Sequence, residues 1–318
     1  MKAGAPWQRW PKASLAAAVL AAWVAQRALG GMNSYYYGVI IYMGINIILA
    51  VSLNLINGYT GQFSLGHAGF MSVGAYASAA VTLKLFPHPQ GALQTALIFL
   101  AALILGGLAA AIAGALVGAP SLRLKGDYLA IVTLGFGEII RVIVRNINSL
   151  GGALGLNGIP AYTNLFWVYS VAFLCAYVVL TMVHSSYGRG FLAVRDDEVA
   201  AEAMGLNTTR YKIVAFVVGA FFAGVAGGLY GHYVLTIDPK GFDFNKSIEI
   251  VVMVIVGGMG NTLGVVAAAI LLTLLPEWLR GLEQYRMALY SFLLIVLMLT
   301  RPQGLFSWRR RVKPVVSA

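Results

Sequence analysis

Residues 92–118 read ALQTALIFLAALILGGLAAAIAGALVG, a stretch without one charged side chain. As a helix at about 1.5 Å per residue it is longer than the roughly 30 Å hydrocarbon core of a bilayer. It shows no strand-like alternation, which disfavours a membrane β-barrel. Further apolar runs lie near 14–29, 37–56, 62–83, 127–146, 165–184, 213–236, 248–276 and 287–300. The run 248–276 is interrupted by GGMGN, Gly257 to Asn261, and reads as two half-helices rather than one span. Only 10% of the 318 residues are charged and 59% are hydrophobic, with mean hydropathy +0.80. Soluble domains carry about 25% charged residues, so lipid must cover this surface. The fold class is all-α: a polytopic membrane protein of about eight full transmembrane helices plus a re-entrant half-helix pair.

The net charge of +11 does not indicate nucleic acid. Basic residues lie at the ends of apolar runs and in a tail, RRRVK at Arg309 to Lys313, as in loops that meet anionic headgroups. The single cysteine, Cys175, can form no internal disulfide. The run 14–29 follows Lys2, Arg9 and Lys12 in the layout of a signal peptide, yet further spans follow, so it is read as an uncleaved first helix. With the N-terminus cytoplasmic and each of the first seven runs crossing once, the half-helix pair returns outside and the last run brings the C-terminus in. Fourteen of the 22 Lys and Arg then face the cytoplasm, seven face outside, and Arg141 lies within a span. That asymmetry favours this orientation.

The same orientation puts the one strongly charged insert, GRGFLAVRDDEVAAEAMGLNTTRYK (Gly188 to Lys212), in the cytoplasm. Asp196-Asp197-Glu198 reads as a helix start, because a carboxylate caps free amides and suits the helix dipole. Gly205 reads as its stop. The intervening two turns place Val199, Ala203 and Leu206 on one face, beside Ala200 and Met204, with Glu198 and Glu202 on another. So short a helix must lie against something to persist. A solvated loop, a helix on lipid and a docking element all remain open from pattern alone. A metal site is disfavoured, since adjacent carboxylates on a helix diverge and no His stands near.

This insert resembles the cytoplasmic loop of the branched-chain amino acid permeases of ABC importers, the high-affinity hydrophobic amino acid uptake family. NLINGYTGQFSLGHAGFMSVGAYASA (Asn54 to Ala79), GDYLAIVTLGFGEIIRVIVRN (Gly126 to Asn146) and GGMGNTLG (Gly257 to Gly264) are similar to the same family. The resemblance covers most of residues 40–265. It implies a permease subunit in the bacterial inner membrane, without catalytic activity or cofactor. Residues 1–318 would form a single transmembrane domain with a coupling loop, 185–212, and a basic cytoplasmic tail, 301–318. It also implies partners: two cytoplasmic ATPase subunits, a second homologous permease and a periplasmic or extracellular substrate-binding protein, in membrane lipid and without nucleic acid. In such importers a short coupling helix carrying E-A-A-x-x-x-G docks on the ATPase. Here Val199-Ala200-Ala201-Glu202-Ala203-Met204-Gly205 keeps both alanines and the glycine but has Val in place of the glutamate. The expected docking set is Asp196, Asp197, Glu198, Val199, Ala200, Ala201, Glu202 and Gly205.

Candidate pathway residues are the polar groups inside apolar runs, which are costly there. Gln62, Ser64 and His67 stand among glycines at the start of the run 62–83. Glu138 and Arg141, at i and i+3, share a helix face, where they pair with each other or contact substrate. Gly257, Gly258 and Asn261 mark the break, whose unpaired backbone is tolerated only against protein or a water-filled cavity. The pairs Gly114/Gly118, Gly224/Gly228 and Gly227/Gly231 are read as helix packing. Urea or short amides are alternative substrates within the same family. An ion-coupled secondary carrier would need acids on several spans, and Glu138 is the acid standing clearly inside one. Neither a Walker A sequence nor a membrane-embedded H-E-x-x-H or G-x-S-x-G is present.

Overall fold

In the computed structural model the described residues are 33–85, 91–122 and 126–282 without a break, with isolated positions between 19 and 31, at 124 and between 285 and 305. The expected first span (14–29), last span (287–300), both termini and the basic tail (301–318) lie wholly or largely outside them. Ten α-helices organise the described residues: α1 Ser34–Asn54, α2 His67–Ala80, α3 Ala92–Ser121, α4 Asp127–Asn146, α5 Leu165–His184, α6 Ser186–Asp196, α7 Glu198–Ala203, α8 Thr208–Val234, α9 Phe244–Gly257 and α10 Thr262–Trp278. A π-helical turn, Leu55–Tyr59, extends α1, and another, Val81–Leu85, extends α2. Among the described residues, four helices are long and apolar enough to cross a membrane: Ser34–Tyr59, Ala92–Ser121, Leu165–His184 and Thr208–Val234.

Two of the expected spans differ from the simple reading. The run 62–83 is not one helix, because residues 61–66 are irregular coil and α2 begins only at His67. The run 127–146 is fully helical as α4, but Asp127, Glu138, Arg141 and Arg145 keep it from being a uniformly apolar span. The break at Gly258–Asn261 is present as expected, separating α9 from α10.

Helix directions follow from side-chain contacts. The Leu165 amide donates to Tyr37 Oη, Tyr169 Oη donates to the Ile40 carbonyl, and Cys175 Sγ lies 3.9 Å from the Ile48 carbonyl, so α5 runs parallel to α1. Asn46 reaches Thr273 (3.0 Å), Tyr59 reaches Thr262 (2.8 Å), and Tyr35 bonds Glu277, so α10 runs back along α1. Gly74 meets Gly224, Ser78 meets Gly228 and Thr82 meets His232, which makes α2 parallel to α8. Across α3, Gly107 packs on Phe221 and Val225 while Gly118 packs on Phe216, so α3 opposes α8. These relative directions match the alternation expected of successive crossings.

α2, α3 and α8 pack closely where they converge on Gly74, Gly106 and Gly224. A Cβ on Gly74 would stand 2.2 Å from Gly224 Cα, and one on Gly106 would stand 2.7 Å from the Gly74 carbonyl oxygen. Backbone meets backbone there, the close approach that small residues permit between membrane helices. At the end remote from α6 and α7, strands β1 (Leu156–Asn157) and β2 (Thr236–Ile237) pair antiparallel and fasten the long 147–164 connection to the exit of α8.

Candidate coupling and pathway sites

The charged insert folds as two helices rather than one. α6 is amphipathic and buries Phe191 and Val194, with Gly190 against the ring of Tyr211 at the start of α8. Asp197 alone separates it from α7, in extended geometry, and its Oδ1 accepts from the amides of Val199 (2.9 Å) and Ala200 (3.0 Å). At the other end the Gly205 amide donates to the Glu202 carbonyl and the Leu206 amide to the Ala201 carbonyl. Gly205 has φ +84°, the left-handed geometry this capping pattern requires. Start and stop thus fall where the sequence placed them.

Pattern alone does not say which face packs inward; it is the one that carries Glu198 and Ala201. Glu198 Oε1 lies 2.6 Å from Nζ of the buried Lys212, and Glu202 Oε1 accepts from Thr208 Oγ1 at 2.6 Å. Ala201 is 5% exposed and packs inward, while Val199 is 67% and Met204 83% exposed, with Ala200 and Ala203 exposed beside them. The reason is the neighbour: the start of α8 presents Thr208 and Lys212, so polar groups turn in and apolar ones face water. Replacing Asp197 by alanine should cost about 1 kcal/mol of local stability. Faster hydrogen exchange at Val199 and Ala200, with α8 unchanged, is the measurement that checks it.

The two helix breaks adjoin. Asn57 pins the first, its Oδ1 accepting from the Ser64 amide (3.2 Å), while Thr133 Oγ1 accepts from the Leu65 amide (3.0 Å) and Ser247 Oγ from the Ala68 amide (3.3 Å). In the second, the Gly260 amide donates to Asn54 Oδ1 (2.9 Å) and Asn261 Oδ1 accepts from the Gly264 amide (3.2 Å) to cap α10. Irregular backbone at membrane depth is tolerated because protein groups satisfy it. Gly257 packs directly on Val265, closing the α9–α10 hairpin.

Around these breaks lie buried polar atoms without a hydrogen-bond partner: both amide atoms of Gln62, Ser64 Oγ, His67 Nδ1, Ser72 Oγ and Asn54 Nδ2. The other ring nitrogen of His67 lies 2.9 Å from Ser52 Oγ. Glu138 and Arg141 pair with each other at 2.7 Å, each about one-third exposed. A small cleft beside Glu138 is lined by Leu65, Gly69, Gly137, Phe242 and Ser247, which connects α4 to the start of α2 and of α9.

Residues 35–300 match the family described as branched-chain amino acid transport system / permease component. The chain belongs to that family. The high-affinity branched-chain amino acid transport system permease protein LivM of Escherichia coli K12 is 36% identical over 301 residues, 84% of this chain and 68% of that protein. LivM of Salmonella typhimurium matches at the same identity and coverage. LivH of E. coli K12, another permease protein of a system with the same name, is 22% identical over 280 residues, 81% of this chain and 90% of that protein. No solved structure matches. The permease is therefore a multi-pass membrane transport subunit rather than an enzyme.

Within the permease, the sequence-selected residues fall into two groups. Asp196 through Gly205 form the end of α6 and the capped helix α7, exposed apart from Ala201 and the half-buried Glu198. Gln62, Ser64, His67, Gly257, Gly258 and Asn261 gather around the end of α1, and Glu138 and Arg141 border them across the cleft. Sequence reasoning missed Lys246 and Glu249, paired at 2.9 Å on α9, with Lys246 Nζ also 3.5 Å from Asn46 Oδ1 halfway along α1. Lys246 stands in the first turn of α9, and Glu249, about one-third exposed, is a second acid within an apolar helix. Their i, i+3 spacing was the available signal. Arg195 was also missed, and no spacing rule would have found it.

Proposed function

We propose that this chain is the permease subunit of an ABC importer that carries branched-chain amino acids into the cytoplasm by ATPase-driven alternating access. The observation that carries the reading is α7. A capped helix that turns its acids onto its own chain and leaves Val199, Ala200, Ala203 and Met204 in water is suited to an apolar groove on a cytoplasmic partner. With Glu198 bound to Lys212, small-residue contact rather than an acid at the first motif position would seat the helix. Two ATPases closing on ATP would then draw two such helices together and rock the membrane bundles as rigid bodies.

Several observations support the wider assembly. An ion pair one-third exposed is unsuited to hydrocarbon, so the Glu138–Arg141 side of α4 faces a water-lined pathway or a second permease. That E. coli has LivM and LivH as permease proteins of identically named systems favours a second, related subunit. Orphaned polar atoms at Gln62, Ser64 and His67 favour hydration when the pathway opens, with Gly257, Gly258 and Asn261 beside it. Leu305, whose amide donates to the Val256 carbonyl at 2.8 Å, lies at the α6–α7 end and favours a C-terminal tail on the cytoplasmic side of an inner membrane.

The test is uptake by the complete importer, with its ATPases, second permease and binding protein, in sealed liposomes. Leucine accumulation is expected only with ATP inside the compartment that holds the ATPases. Accumulation of urea instead would overturn the substrate assignment. Uptake driven by an imposed ion gradient without ATP would overturn the mechanism.

A further inference from the structure

Arg195 lies in the last turn of α6, three residues before α7 begins. Its Nε and Nη2 both donate to Asp196 Oδ1, at 3.0 and 2.9 Å, which fixes the guanidinium plane. The side chain is about one-third exposed, and the rest of it lies against two glycines. A Cβ on Gly61 would stand 2.9 Å from Arg195 Cγ and 3.3 Å from its Cα, and one on Gly260 would stand 3.1 Å from Nη1. Gly61 belongs to the break between α1 and α2, and Gly260 to the break between α9 and α10. Both have positive φ, +69° and +81°, so neither position accommodates another residue without strain.

We propose that Arg195 is the positioning residue that transmits movement of α7 to both helix breaks together. The proposal rests on the reading of α7 as the ATPase-docking helix. Three features support it. Asp197 is the only residue between α6 and α7, so a displaced α7 drags Arg195 directly. The breaks lack the continuous i→i−4 ladder of a helix and are the compliant points of the bundle, as hinges in domain motions are. And the two breaks are already linked to each other, by Gly260 N–H to Asn54 Oδ1 and by Tyr59 to Thr262, so they yield as one unit. The planar guanidinium suits this place because its Nε–Nη2 edge is held on Asp196 while Nη1 occupies the space beside Gly260 where a side chain would stand. A lysine ammonium cannot do both.

The experiment uses the complete importer in liposomes and reads ATP hydrolysis and leucine uptake from the same preparation. Arg195→Ala is expected to co-purify with its ATPases and to hydrolyse ATP within about twofold of the parent, while uptake falls about tenfold, within the 5–150-fold range of site-to-site coupling. Arg195→Lys, which keeps the stem against Gly61, is expected to lower the uptake-to-hydrolysis ratio by less. A merely structural role predicts that assembly, hydrolysis and uptake fall in parallel, and that outcome overturns the proposal, as does an unchanged ratio. If Arg195→Ala does not insert, Arg195→Lys decides, a lowered ratio supporting the proposal and an unchanged one overturning it. Failure of the underlying docking reading shows elsewhere, as an Ala200→Arg variant that still binds the ATPases.

Discussion

Ala200→Arg is expected to abolish co-purification of the permease with its ATPases while leaving the membrane domain folded. Ala200 lies on the exposed side of α7 between Val199 and Met204, and its backbone amide, which Asp197 caps, is untouched by the change. Arginine is a good helix former, and a surface substitution of this kind shifts stability by about 0.5 kcal/mol or less. In a docked interface the same side chain would leave a charge buried without a partner, a defect of about 3–5 kcal/mol. At about 1.4 kcal/mol per tenfold, that is a loss of two to three orders of magnitude in affinity. A pull-down from detergent extracts, with size-exclusion elution of the permease itself, separates the two effects. Ala201→Arg makes the contrast: Ala201 faces inward, so that variant is expected to lose the helix as well as the partner. Undiminished ATPase binding by Ala200→Arg would sink the docking model.

Gly224→Leu is expected to prevent formation of the folded chain. A Cβ on Gly224 would already stand 2.4 Å from Ala110 Cβ and 2.9 Å from the Gly106 carbonyl oxygen, while Gly74 presses on the same residue from α2. Overpacking a core costs typically about 1–3 kcal/mol when neighbouring side chains can shift. Two of the three neighbours here are backbone, so the only relief is separation of α8 from both α2 and α3, and the upper end of that range is a minimum. The yield and thermal stability of the fluorescently tagged permease in detergent measure the outcome. Gly135→Leu on α4 is the control, because a Cβ there meets nothing within 4 Å. Equal behaviour of the two variants would show that the three-glycine contact does not hold the bundle.

The helices that decide the fold were legible because apolar length is a strong signal. The run 92–118 corresponds to α3, 165–184 to α5, and 213–236 to the membrane part of α8. Breaks were legible only when glycines clustered. GGMGN announced itself, but GQFSLG did not, since a few polar residues among apolar ones look the same in a packed helix as in a protein-lined coil. What fixes residues 61–66 as coil is distant: Asn57, Thr133 and Ser247 supply the hydrogen bonds. The inward face of α7 was not legible, for a related cause. Amphipathic patterning tells that a helix has two sides, and which side is inside depends on what it meets. Lys212 and Thr208 on α8 decided that, and they are not part of the α7 pattern. Arg195 illustrates the limit, because its role lies in two glycines that sit 134 and 65 residues away in opposite directions along the chain.

The outward apolar face of α7 carries a consequence for the life of the protein before it is assembled. If an ATPase is what covers it, then before assembly the permease displays Val199 and Met204, on a helix of only six residues whose ends are held by Asp197 and Gly205. That is the kind of surface by which chaperones and proteases recognise orphan subunits. On the docking reading proposed above, the helix that takes up the ATPase's movement would double as a readout of stoichiometry. Cells that make too little ATPase would be expected to clear the surplus permease.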